Sequence, residues 1–349
     1  MGYGHRKGES YVSIKGTAQY YHVVLERISP KAEPAFEDVQ MQERVWERRW
    51  GVANDVGTLR MVLVHRPGDE VRVMSDKHYD TSIEALIDDR EQWYFRSDRS
   101  ADLEKMQKEH DGMVGVLKDH GVQVEYVGGS TRDPKAVFVR DCAIAVRGGA
   151  VICRMGPVGE DVGTGRRGEE RYVFQKLAAL GMPVLRTIHG TGLLEGGSFC
   201  FLDEKHAAVG TSYRQNRVAV DQLRNVLDHQ GVELIEVPLV GHSLHIDGAI
   251  VMIDNDRALV DVTRLPYWFL DTLQDLGLQT VQVDPRDQEK TVNCLALAPG
   301  RVLMCSGSDW TAETLDRLGV EVTQIPYDEH HKNGGGIHCS TMPLVRDID

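Results

Sequence analysis

The feature that most constrains this chain is a phrase that occurs five times: an amphipathic stretch with helical spacing, a glycine, and a short run rich in β-branched residues. The glycines are Gly121, Gly181, Gly231, Gly277 and Gly319. The amphipathic stretches cover 103–120, 169–180, 218–230, 267–276 and 312–318. A glycine at that place supplies the left-handed residue that ends a helix. Alternation after it, as in Gly231-Val232-Glu233-Leu234-Ile235-Glu236-Val237, reads as a strand. Between the phrases lie apolar runs broken by turn residues, 143–153, 199–210, 249–260 and 295–305, and a further run, 61–64, begins the first unit. Their centres, Gly148-Gly149, Asp203-Glu204, Asn255-Asp256 and Pro299-Gly300, have turn chemistry, so each run reads as a hairpin. The sum is five ββαβ units. Such units build either a closed ring with pseudo-fivefold symmetry or an open α/β sheet. The regular glycines and the hairpins between units favour the ring.

The repeat occupies 56–349, expected as a single α/β domain. Residues 1–55 form an extension expected to pack on the ring or on an oligomer partner, with a charged helix near 44–49. An insertion at 76–99 holds Trp93, Tyr94 and Phe95; its length and aromatics suggest a lid. The balance of 40 basic against 53 acidic side chains, net −13, repels phosphate backbones and argues against a nucleic-acid binder. No apolar run approaches the ~20 residues of a membrane span, and the polar start lacks a secretory h-region. The six cysteines lack close pairing, which suits reduced thiols in a cytoplasm.

Each unit's central strand is followed by a loop and then by the next hairpin, and that junction carries Asp141, Glu195, His245 with Asp247, Asn293, and Cys339. In a ring, equivalent points of successive units converge near the axis, so these residues would face one pocket. Leu194-Glu195-Gly196-Gly197-Ser198 sets a carboxylate beside two glycines that admit close backbone approach. His245-Ile246-Asp247 in an extended segment puts both polar side chains on one face. Gly334-Gly335-Gly336-Ile337-His338-Cys339 delivers a thiol that His338 and amide groups could hold as thiolate. Cys153, Cys200, Cys294 and Cys305 lie in apolar strands and read as inert. His330-His331 reads as a solvated loop; with His338 it fits no zinc signature well. Arg166 reads as part of a charged helix start or of the pocket wall.

These motifs resemble the guanidino-group modifying enzymes: arginine deiminase, dimethylarginine dimethylaminohydrolase and the amidinotransferases, with arginine deiminase the nearest in look. The resemblance rests on 64–70, Phe138-Val139-Arg140-Asp141, Leu194 to Gly197, His245 to Asp247 and 334–346, in that order. It implies a five-bladed α/β propeller, the pentein fold. It also implies Cys339 as nucleophile, His245 as general acid/base and Glu195 as the third member beside it. Asp141 and Asp247 would clamp the guanidinium, Arg154 and Arg214 would hold the substrate carboxylate, and Phe138 would wall the pocket. Expected is hydrolysis of arginine or a related guanidino acid through a covalent thiouronium on Cys339, in a cytoplasmic homo-oligomer needing neither metal nor organic cofactor. An amidinotransferase passing the amidino group to an amine is the alternative. A catalytically dead propeller would not need an intact Cys339, His245 and Glu195. Metal-dependent hydrolysis would need His and Asp clusters that the sequence lacks.

Three departures bear on the substrate. Ser198 stands where the family shows an Asp after Glu-Gly-Gly. Lys135 stands where deiminases carry an Asn at the amino-acid end of the substrate. The helical insertion of typical deiminases is absent.

Overall fold

The computed structural model describes residues 13–129, 132–157, 165–241 and 243–347. Five three-stranded sheets share one pattern, in which the first strand runs antiparallel to the second and the second parallel to the third. Four of them follow chain order. They are Ala143–Val146, Gly149–Ile152 and Val184–Thr187; Phe199–Phe201, His206–Thr211 and Glu233–Pro238; Ile250–Asp254, Arg257–Val260 and Gln279–Gln282; and Leu295–Ala298, Arg301–Cys305 and Glu321–Ile325. A parallel pair needs a crossover, and in each unit a helix supplies it. The remaining sheet joins Leu59–Val64 and Gln123–Tyr126 to the chain's last strand, Met342–Arg346. The expected first unit, begun at 61–64, therefore takes its first strand from the far end of the chain.

The crossover helices are Leu103–Asp119, Glu169–Leu180, Arg217–His229, Tyr267–Asp275 and Asp309–Arg317. The five glycines that follow them have φ between +69° and +82°, the conformation that ends a helix without a Cβ clash. The last helix starts at Asp309 rather than at 312. Its first amides are met from outside, since Asp287 accepts from the backbone N–H of Trp310 and Thr311 at 3.1 and 2.7 Å.

The middle strand of each sheet is almost wholly buried, because helices and neighbouring sheets cover it; hence its unbroken apolar run. The third strands keep an exposed, polar edge. Leu223 and Leu227, Phe269 and Leu273, and Met113 and Leu117 are the buried faces of three helices, each side chain contributing about 1.5–3 kcal/mol by burial. Neighbouring sheets touch through their first strands: Ile250–Asp254 meets Phe199–Phe201 and Leu295–Ala298, and Met342–Arg346 meets Ala143–Val146.

In the extension, helix Ala18–Ile28 buries none of its residues, and a second helix spans Val39–Trp46. From Trp50 the chain already belongs to the core: Trp50, Val52 and Ala53 are buried, and Gly51 N–H donates to the Leu344 carbonyl at 2.9 Å. The 76–99 insertion is ordered around a small sheet, Tyr79–Asp80, Ala85–Ile87 and Tyr94–Phe95, over its own cluster of Met74, Leu86, Trp93 and Phe95.

Candidate active site

Every sheet is entered through a tight turn, and the polar candidates sit on those turns. Val139–Cys142 carries Asp141; Glu195 precedes Gly196–Ser198; His245 precedes Ile246–Gly248, which carries Asp247. Asn293 and Cys339 occupy the approaches to Leu295–Ala298 and Met342–Arg346. The first three turns pack against one another, so residues far apart in sequence become neighbours. At Gly197 a Cβ would lie 2.7 Å from Asp141 Oδ1 and 2.8 Å from His245 Nδ1, so glycine permits this approach.

The Cys339 thiol is buried and donates to Asp247 Oδ2 at 3.4 Å. Asn293 holds it twice: Nδ2 donates to Sγ at 3.2 Å, and Oδ1 accepts from the Cys339 backbone N–H at 3.2 Å. Burial, then Asp247 and Asp141, push the thiol well above its ordinary pKa; the Gly336 backbone and Asn293 only partly oppose this. These influences favour the protonated thiol in the free site, against the reading that His338 and amide groups could hold it as thiolate. The near charge is a carboxylate, and burial and Arg140 lower the pKa of His338. His338 Nε2 lies 2.9 Å from Arg140 Nη2, and its Nδ1 lies 2.9 Å from Asp247 Oδ2. Arginine can only donate, so Nε2 is the acceptor and Nδ1–H points at the carboxylate. Despite burial, His338 and His245 hold Asp247 down at about 2.

His245 Nε2 lies 2.6 Å from Glu195 Oε2, and Nδ1 lies 3.5 Å from Asp141 Oδ1. Burial opposes its charge, but Asp141 and Glu195 outweigh burial and raise its pKa to about 9. Glu195 is held low, against burial, by His245 and then by Arg214, whose Nη1 is 3.3 Å from Oε1. Asp141 accepts from Gly197 N–H at 3.1 Å and pairs through Oδ2 with Arg166, which also grips Glu169. Asp141, Glu195 and His245 converge closely enough to hold a cation, yet Arg166, Arg214 and the imidazolium already balance their charge.

A cavity of about 110 Å³ opens over the thiol. His245, Asp247, Asn293 and Cys339 face it from the turns, Tyr94 and Arg96 from the 76–99 insertion, and Lys135 from the loop before Val139–Cys142. The structure thus separates the two carboxylates expected to act as a pair: Asp247 lines the cavity, while Asp141 lies behind His245. The two arginines expected at the mouth are not among its described lining residues. Arg154 Nη1 donates to the Gly192 carbonyl at 3.0 Å, and Arg214 backs Glu195. Phe138 is buried beneath the cysteine loop, its ring 2.5 Å from where a Gly335 Cβ would stand. The rim cations are instead Lys135, Arg96, Arg264 and Lys290; only Lys135 was legible beforehand. Arg140 and His338 were missed as a pair, although each adjoins a motif residue. His330 is buried, stacked 3.9 Å from Tyr327 and bonded to Glu109, so it is not a solvated loop residue. A larger cavity of about 850 Å³ between the 76–99 insertion and residues 165–172 contains none of these groups.

The sequence pattern of the eukaryotic N,N dimethylarginine dimethylhydrolase family matches residues 77–346. The dimethylarginine dimethylaminohydrolase of Streptomyces coelicolor is 28% identical over 236 residues, 67% of this chain and 84% of that protein. The arginine deiminase of Latilactobacillus sakei is 26% identical over 260 residues, 61% of this chain and 62% of that protein. A solved dimethylarginine dimethylaminohydrolase from Pseudomonas aeruginosa superposes with a TM-score of 0.64 at 19% identity, covering 82% of this chain and 99% of that one. The chain belongs to the N,N dimethylarginine dimethylhydrolase family, within the guanidino-group modifying enzymes.

Proposed function

We propose that this family member hydrolyses a guanidino compound through a covalent intermediate on Cys339. The observation that carries the reading is the meeting, on equivalent turns, of the Cys339–Asp247 contact at 3.4 Å and the His245–Glu195 pair at 2.6 Å. A guanidinium is a planar cation that suits Asp247, and its charge offsets the burden that keeps the thiol protonated. With the cation bound, the Cys339 thiol gives up its proton to solvent, and the resulting thiolate sulfur adds to the guanidinium carbon. The imidazolium of His245 gives its proton to the departing amine, and the C–N bond breaks to leave a thiouronium. Neutral His245 then takes a proton from water, whose oxygen bonds to the same carbon, and the C–S bond breaks to release a ureido product. Glu195 holds the imidazole and stabilises its charged form. Asp141 backs the other ring nitrogen. We read 56–349 as one domain and the five sheets as blades of a closed propeller around this site.

The test is incubation with arginine, methylated arginines and simpler guanidino acids, with and without an acceptor amine, followed by mass spectrometry of products and of acid-quenched protein. Ureido product together with an adduct on the Cys339 peptide is expected. A transferred amidino group on the acceptor would overturn hydrolysis in favour of the transferase.

A further inference from the structure

The cavity is polarised. Its floor offers the carboxylate of Asp247, and its rim offers cations with too few anions of their own. Glu289 is shared by Arg264 at 3.0 Å, Lys290 at 3.5 Å and Arg96 at 3.8 Å, and of these Arg264 has a second anion, Asp261, at 3.0 Å. Lys135 has less: its Nζ lies 4.4 Å from the Tyr94 ring centre and 5.4 Å from that of Phe95. Among the described residues no carboxylate stands within ion-pairing distance of it. The rings supply only a weak cation–π attraction. The backbone beneath it is fixed, because Phe138 N–H donates to the Lys135 carbonyl at 3.0 Å and Asn333 Nδ2 to the Pro134 carbonyl at 2.6 Å.

Resting on the guanidino chemistry above, we propose that the cavity takes an ω-guanidino carboxylate without an α-ammonium group, its tail anion held by Lys135 with help from Arg96. The carboxylate would give Lys135 the partner that the protein withholds. An α-ammonium, as on free arginine, would meet Lys135 and Arg96 with only Glu289 to receive it, and Glu289 already serves three cations. An all-cationic guanidine such as agmatine fares worst.

The charge state of Lys135 supplies an independent signature. Burial, then Arg166, Arg214 and Arg96, bring its pKa down to about 7, with Glu169 opposing. The lid presents only the Tyr94 and Phe95 rings and Arg96 to it, and the cysteine loop presents Gly334. Near neutral pH the empty cavity therefore holds a partly deprotonated Lys135, and an arriving anion draws a proton onto it.

Calorimetry on Cys339→Ser, which binds without turnover, tests this with 4-guanidinobutyrate, arginine and agmatine in buffers of different ionisation heat at pH 7.5. We expect 4-guanidinobutyrate to bind at least about tenfold tighter than arginine, agmatine to bind weakest, and proton uptake only with the first. In a Lys135→Gln background both the preference and the uptake should vanish. Equal or tighter arginine binding, unchanged preference in Lys135→Gln, or no binding by any of the three overturns the proposal. Turnover by the wild type is scored separately. Preference without turnover refutes the hydrolase reading alone, and arginine hydrolysis without preference refutes the tail assignment alone.

Discussion

The Cys339 thiol donates to Asp247 at 3.4 Å, so the group meant to act as nucleophile rests against the charge that most disfavours its thiolate. On the proposed reading, a carboxylate at that distance makes the site wait for a cation, and the guanidinium substrate supplies the charge that makes the sulfur reactive. This predicts an unusual sign. Asp247→Asn keeps an acceptor for His338 but removes the negative charge, so Cys339 in the free enzyme should alkylate faster with iodoacetamide at pH 7–8. Each unit by which the thiol pKa falls is worth roughly tenfold in thiolate. Peptide mapping separates Cys339 from the other buried thiols. Slower alkylation in Asp247→Asn would show that Asp247 is not what holds the thiol protonated. The same variant should bind a guanidinium ligand about 2–5 kcal/mol more weakly.

Removal of the thiol itself gives a cleaner outcome. Cys339→Ala should lower turnover by about 10⁴ or more while its thermal midpoint stays near wild type, because the side chain is small and belongs to a small cluster with Val71, Met106, Val137 and Phe138. The quenched adduct should disappear with it. Activity above a tenth of wild type would end the covalent proposal.

How much of this was legible depended on distance along the chain. Helix ends were readable because each is written locally, in the glycine that stops it. The turn positions of Asp141, Glu195, His245, Asp247 and Cys339 were readable because a repeat makes equivalent loops converge. Pairing between Leu59–Val64 and Met342–Arg346 was not, since no local signal tells a strand that its partner is the last one in the chain. The rim failed for the same reason. Arg96 comes from the 76–99 insertion and Arg264 from the short helix Val262–Arg264, and only the fold brings these two to Glu289 and its sequence neighbour Lys290. Arg154 and Arg214 were named by resemblance, which carries position but not side-chain direction. The weight of Asp247 on the thiol was not legible because adjacency to His338 suggests a cation, whereas burial and Arg140 lower the pKa of that ring and Asp247 only partly opposes them.

His245 provides a pH test. Its pKa is raised from the ordinary 6.5 to about 9 by Asp141 and Glu195. Between those values the native state binds a proton that the unfolded chain does not. The stabilisation is therefore complete below about pH 6.5 and declines as pH rises through about 9. Urea unfolding of wild type and His245→Gln across pH 6–10 should show the wild-type curve falling toward the variant over that window. Turnover should fall above about pH 9 as the proton needed by the departing amine is lost. A stability difference that is flat across the window would mean that His245 is neutral in the native state.

Arg166 is the largest single electrostatic commitment behind the site. Its Nε and Nη2 donate to Glu169 at 2.7–3.1 Å, its Nη2 to the Phe138 carbonyl at 2.9 Å, and its Nη1 to Asp141. All three charged groups are buried. Such a triad adds little net stability over a well-packed apolar substitute, yet removing one member strands the others. Arg166→Met should therefore destabilise by about 3–5 kcal/mol, read as a lower urea midpoint. Adding Glu169→Gln to that variant should restore part of the loss, because one stranded carboxylate becomes neutral. Turnover should not recover with stability, since Asp141 would still lack the partner that sets its distance from His245. Full recovery of activity in the double variant would reduce Arg166 to packing. A loss below about 1 kcal/mol in the single variant would place the triad among ordinary surface-like pairs.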